Sequence, residues 1–114
     1  MDIATSEQQK SRRAEQKLLA KQAHDAARLL NLLGNEKRLL ILCHLMMNRE
    51  MRVSEIVEAI GLSQSALSQH LTKLREDGLI TFRRESQTLH YRIADQRVAK
   101  LIKVVKKLYC EDVN

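Results

Sequence analysis

The chain has 114 residues, with no proline, three glycines, three aromatic residues, 44% hydrophobic residues and a formal net charge of +6. That length suits one domain, the scarcity of helix breakers favours helices, and a small Leu/Ile/Val/Met core gains from a second copy. No apolar run reaches the ~18 residues of a membrane span and residues 6–13 include no apolar side chain, so neither a span nor a secretory signal is expected; a cytoplasmic protein with a polyanionic partner is.

Residues 1–13 read as a flexible polar arm, and 14–114 as the folded domain. From Ala14 to Leu33, Leu18, Leu19, Ala23, Ala26, Leu29, Leu30 and Leu33 recur at helical spacing. Gly34 ends that helix, and Asn35 suits the cap of a second helix carrying Leu39, Leu40, Leu42, Cys43, Leu45 and Met46. A polar turn over Asn48–Met51 follows. A third helix spans Ser54–Ile60, with Ile56, Val57 and Ile60 inward. Its start is weakly marked: Arg52 stands where Ser or Thr would complete a capping box with Glu55, and Ser54 is the alternative cap.

Gly61-Leu62-Ser63 then joins this helix to a fourth, Gln64–Asp77, closed by Gly78. Two short helices joined by a three-residue turn with glycine make a helix-turn-helix. Leu67, Leu71 and Leu74 form one buried stripe. Gln64, Ser65, Ser68, Gln69, His70 and Lys73 face elsewhere, and a face of amides and hydroxyls suits base edges better than an ordinary Glu/Lys-rich solvated face would. After Gly78 the period becomes two. Ile80 and Phe82, then Leu89, Tyr91 and Ile93, read as a β-hairpin whose tip carries Arg83, Arg84, Ser86 and Gln87, a wing suited to phosphate or minor-groove contact. Asp95 caps a last helix from Gln96 to about Cys110, with Val98, Leu101, Ile102, Val105, Leu108 and Tyr109 as its stripe. Lys100, Lys103, Lys106 and Lys107 form a solvated face. The expected fold is therefore mainly α with a small β-hairpin, a winged helix-turn-helix.

This order resembles the ArsR-type winged-helix repressors of bacteria over residues 20–110. The resemblance is carried by Asn35-Glu-Lys-Arg-Leu-Leu-Ile-Leu-Cys43, Gly61-Leu-Ser-Gln-Ser-Ala-Leu-Ser-Gln-His-Leu71, Leu74-Arg75, Asp77-Gly-Leu-Ile80, Tyr91-Arg92 and Tyr109-Cys110. It implies a homodimer joined through helices 14–33 and 96–110, reading double-stranded inverted-repeat operator DNA with half-sites about one helical turn apart. It also implies Ser65, Ser68, Gln69 and His70 in the major groove, Gln69 suited to adenine. Lys73, Arg83 and Arg84 are then phosphate ligands, with Gln64 and Gln87 beside them. The competing reading of any one of these is a plain solvated side chain.

Many ArsR-type proteins sense metals, through Cys-x-Cys on the helix before the turn or Asp and His on the last helix. This chain has no cysteine on the first and no histidine on the second, so no metal site or cofactor is expected. His24, His44, His70 and His90 lack ligand spacing; His70 is assigned to DNA, and His44 and His90 to solvent. Cys43 and Cys110 resemble the pair of the persulfide-sensing branch (BigR- and SqrR-like), shared with HlyU-type regulators. The resemblance implies a dithiol that reactive sulfur species or oxidants bridge, releasing the operator. The alternatives are a core Cys43 with an end-of-helix Cys110, an HlyU-like activator or anti-silencer, and a metal sensor. A thiol enzyme is disfavoured, since Cys-x-x-Cys and a βαβ pattern are both missing.

Overall fold

The computed structural model describes residues 5–109. They form α1 (Ser6–Leu33), α2 (Glu36–Asn48), β1 (Met51–Arg52), α3 (Val53–Ile60), α4 (Gln64–Glu76), β2 (Ile80–Glu85), β3 (Thr88–Ile93) and α5 (Gln96–Tyr109). Helix α1 belongs to one unit, and the chain from Gly34 onward forms another.

Helix α1 begins well ahead of Ala14, which corrects the expectation of a loose arm to residue 13. The reason is a complete capping box. The Thr5 backbone N–H donates to Gln8 Oε1 at 2.8 Å, and the Gln8 N–H donates to Thr5 Oγ1 at 3.1 Å. No glycine or proline follows until Gly34, so nothing interrupts the helix. Leu29, Leu32 and Leu33 are buried, whereas Leu18, Leu19 and Leu30 keep more than half of their surface in solvent.

In the second unit α2, α4 and α5 start on side-chain caps. Asn35 Oδ1 accepts the Arg38 N–H at 3.0 Å. The α3 cap is Arg52 rather than Ser54: Glu55 Oε1 accepts the Arg52 backbone N–H at 2.9 Å and its Nε at 3.2 Å. A guanidinium has no acceptor, so only this half of a capping box forms. Asp95 Oδ1 accepts the Arg97 N–H at 2.8 Å ahead of α5.

The core gathers Ile41, Leu42 and Leu45 of α2, Ile56 and Ile60 of α3, Leu67, Leu71 and Leu74 of α4, then Leu79, Ile80, Tyr91, Val98 and Ile102. Ile41, absent from the expected α2 stripe, is fully buried, while Leu39, Leu40, Cys43 and Met46 are half-buried. The sheet is antiparallel with order β1-β3-β2. The hairpin is the expected one, from the Ile80↔Ile93 pair to the Glu85↔Thr88 pair. Strand β1 lies in what read as a polar turn: Met51 pairs with Tyr91 and Arg52 with His90. Two residues hold no periodicity, and only the partner strand makes them a strand. This pairing also covers His90, whose side chain is 19% exposed, so the solvent assignment of His90 is corrected; His44 is likewise half-buried on α2.

The Arg97 guanidinium hydrogen-bonded to Asp95 holds that carboxyl below its usual range. Such a group stabilises the fold at neutral pH, and its contribution disappears as pH falls through its depressed pKa. Asp95→Ala should therefore lower stability by about 1 kcal/mol at pH 7. In urea titrations the difference from the wild type should fade below pH ~4.

Candidate nucleic-acid interface

Helix α4 is bounded by two left-handed glycines. Gly61 (φ 79°) closes α3 with its N–H on Val57 O at 2.9 Å. Ser63 then caps α4, its Oγ accepting the Ala66 N–H at 3.1 Å. At the far end, Gly78 N–H reaches Arg75 O and Leu79 N–H reaches Leu74 O, each at 2.9 Å. This pair of bonds is a Schellman closure, and it brings the buried Leu79 against the end of α4. Leu67, Leu71 and Leu74 lie inward, which leaves Gln64, Ser65, Ser68, Gln69, Thr72 and Lys73 exposed and His70 half-buried. Ser68, Gln69, Thr72, Lys73 and Glu76 line one shallow groove of about 380 Å³ along the helix. Thr72 was missed in the sequence, although it follows Ser68 and Gln69 by one helical turn. Lys73 Nζ lies 3.5 Å from Asp77 Oδ2.

The wing turns over Ser86 and Gln87, with Ser86 at φ 60°, the positive-φ opening that primed hairpin turns require. A second cleft, about 340 Å³, is lined by Arg52, Val53 and Ser54, by Gln64, and by Gln87, Thr88 and Leu89. Gln64 and Gln87, read on separate elements, thus share one cleft. Arg52, Ser54 and Thr88 were not expected there, because the short β1 that carries Arg52 to the wing left no signal.

Besides the β1–β3 pairing, side-chain contacts on two sides tie the wing to the rest of the unit. The Arg75 guanidinium carbon lies 5.3 Å from the Phe82 ring centroid, and that ring meets Tyr91 at 5.4 Å, tilted by 56°. On the other side Arg83 Nε donates to Glu50 Oε2 at 3.0 Å and Oε1 at 3.1 Å, and Nη1 donates to Glu85 Oε2 at 2.9 Å. These hydrogen bonds hold the Glu50 and Glu85 carboxyls below their usual range and push the Arg83 guanidinium further up. Hence the expected phosphate ligands differ. Arg83 is tied to two carboxylates, whereas Arg84, on the opposite face of β2, is exposed and makes no ion pair with a described residue. Cys43 is half-buried on α2, and Cys110 lies outside the described residues. Among the described residues no group of three or more His, Cys, Asp or Glu could hold a metal ion.

The sequence pattern of the family described as bacterial regulatory protein, arsR family, matches residues 35–81, from the α2 cap to the start of the wing. The transcriptional activator HlyU of Vibrio cholerae is 44% identical over 93 residues, which is 82% of this chain and 85% of that protein. The crystal structure of the regulator HlyU from Vibrio vulnificus superposes with a TM-score of 0.79 at 45% identity, covering 84% of this chain and 99% of the other. The transcriptional repressor BigR from Xylella fastidiosa superposes at 0.76 and 32% identity, covering 85% and 98%.

The cap geometry separates two neighbouring serines. Ser63→Ala should lower stability by about 1 kcal/mol. Ser65→Ala, on the exposed face, should stay within about 0.5 kcal/mol of the wild type, both read by chemical denaturation.

Proposed function

Because the chain belongs to the arsR family of bacterial regulatory proteins, we propose that it is a homodimeric repressor that holds inverted-repeat operator DNA while Cys43 and Cys110 are reduced. It releases the operator when reactive sulfur species or oxidants bridge them. The observation that carries the DNA part is α4. Its apolar stripe is fully buried, so its amide and hydroxyl face is turned outward beside the wing. In this reading Ser65, Ser68, Gln69 and His70 meet base edges, Gln69 pairing with adenine. Lys73 and Arg84 hold phosphates, and Gln64 and Gln87 contact the backbone from their shared cleft.

Dimerisation through α1 and α5 is supported by large apolar side chains left in solvent on each: Leu18, Leu19 and Leu30 on α1, and Val104, Leu108 and Tyr109 on α5. Apolar surface of this kind on a small domain is best covered by a second copy. A twofold pair then presents two α4 helices to the two half-sites.

The switch rests on the two thiols. One thiolate attacks the outer sulfur of a persulfide, expels the donor's thiolate and becomes a persulfide itself. The second thiolate attacks the inner sulfur of that group and expels hydrosulfide, which leaves a disulfide; further sulfur transfer lengthens the bridge. A disulfide requires Cα atoms within about 7 Å. Bridging would tether α2 to the segment following α5 and so alter how the two α4 helices are presented.

A second reading is net activation, by displacement of a silencer from the same DNA. It is favoured by the higher identity to the activator HlyU of Vibrio cholerae than to the repressor BigR. Operator footprints that overlap the promoter support repression, and footprints confined to a silencer site support the second reading.

In gel shifts, polysulfide treatment should weaken operator binding by about five- to a hundredfold; equal affinity of the two forms overturns the switch. Cys43→Ser should abolish this response and leave binding by the reduced protein intact. Gln69→Ala should cost about 1–3 kcal/mol and relax preference at one base position, whereas Arg84→Gln should lower the salt slope by about one at every sequence.

A further inference from the structure

Glu50 and Arg83 are 33 residues apart in sequence, yet both Glu50 oxygens lie within 3.1 Å of the Arg83 Nε. What holds Glu50 there is an uncommon turn. Arg49, between α2 and β1, has φ 64° and ψ −54°, and the Glu50 N–H donates to Asn48 O at 2.7 Å. This is a γ-turn of positive φ, rare and strained for a residue with a side chain. Such a conformation persists only where its surroundings over-determine it. Here Asn48 Nδ2 donates to His44 O at 2.9 Å, which fixes the turn to the last coil of α2. On its other side Met51 is buried and paired with Tyr91.

We propose that Arg83 is a positioning residue: through Glu50 it fastens the β2–β3 wing to the strained α2–β1 turn, and so sets where Arg84 and Gln87 meet DNA, instead of neutralising a phosphate itself. The inference rests on the DNA-binding reading above. Charge supports it. One guanidinium between two carboxylates is a locally negative group, so a phosphate approaching the remaining Arg83 N–H donors meets net negative charge. Register supports it as well. Arg83 lies opposite His90, which also pairs with Arg52 at the end of β1, so the Glu50 contact is made where all three strands meet. The Arg75–Phe82 contact anchors the same strand to α4, and the Glu50–Arg83 pair fixes its other side.

The test uses the full chain and two duplexes of about 30 bp. One carries the inverted repeat that the wild type enriches from a randomised library, and the other is its scrambled version. Glu50→Gln removes a negative charge, so simple electrostatics predicts tighter binding. Positioning predicts the reverse: affinity for the enriched duplex falls by about fivefold or more, with an unchanged salt slope. Arg83→Gln should do the same, the double variant should be no weaker than either single one, and Arg83→Lys should recover part of the loss. Amide exchange at the β2–β3 tip should quicken in Glu50→Gln while thermal unfolding stays cooperative. Tighter binding of Glu50→Gln to both duplexes, or a slope lowered by about one in Arg83→Gln, overturns the proposal and makes Arg83 a phosphate ligand. Tip exchange left unchanged in Glu50→Gln also overturns it. Failure of the wild type to prefer any duplex overturns the DNA-binding reading instead.

Discussion

The removal of Leu67, Leu71 and Leu74 from solvent decides how α4 is rolled about its own axis. A helix with three leucines on one stripe has one orientation that buries them all, and a rotation by a single residue would expose at least one. Burial of that stripe is worth several kcal/mol at about 25 cal/mol per Å². None of the outward polar residues contributes comparably to the fold. Ser68, Gln69 and Lys73 therefore sit where the leucines put them, and the capping Ser63 and the Schellman closure at Gly78 set the length over which that phase is kept.

Much of this was legible in the chain because it is local. Cap, stripe and stop of α4 lie within eighteen residues, from Gly61 to Gly78, and each has its own residue signature. The hairpin was legible for the same reason, through its period of two. What escaped depends on contacts between distant segments. Met51 and Arg52 are a strand only because Tyr91 and His90 lie beside them. Ile41 is buried because α2 is covered over a broader arc than an amphipathic stripe suggests. The partner of Arg83 was likewise hidden, since its neighbours in sequence are polar and basic. Its ion pair with Glu50 is invisible without the fold. The α1 start is a different case: Thr5 and Gln8 form a recognisable capping box, but composition alone made residues 6–13 read as loose.

The two halves of the interface are consequently held by different physics. Helix α4 is fixed by apolar burial, which ionic strength scarcely weakens. The wing is held at its root by the buried Ile80 and Tyr91 and by Arg75 over Phe82, and along β2 by the exposed Arg83–Glu50 ion pair, which is individually weak and screened by salt. The Arg83–Glu50 side of the wing is thus the part of the candidate interface more sensitive to ionic strength than α4.

The distribution of aromatic residues has an optical consequence. The chain has no tryptophan and two tyrosines, so its near-ultraviolet emission is dominated by Tyr91 and Tyr109. Tyr91 is 7% exposed on β3 of the wing and packed at a tilt against Phe82, whereas Tyr109 is 81% exposed at the end of α5, next in sequence to Cys110. In a single copy of the chain an added quencher reaches Tyr109 and spares Tyr91. The unlabelled protein therefore carries two separable reporters, one for the packing of the wing and one for the covering of the α5 end.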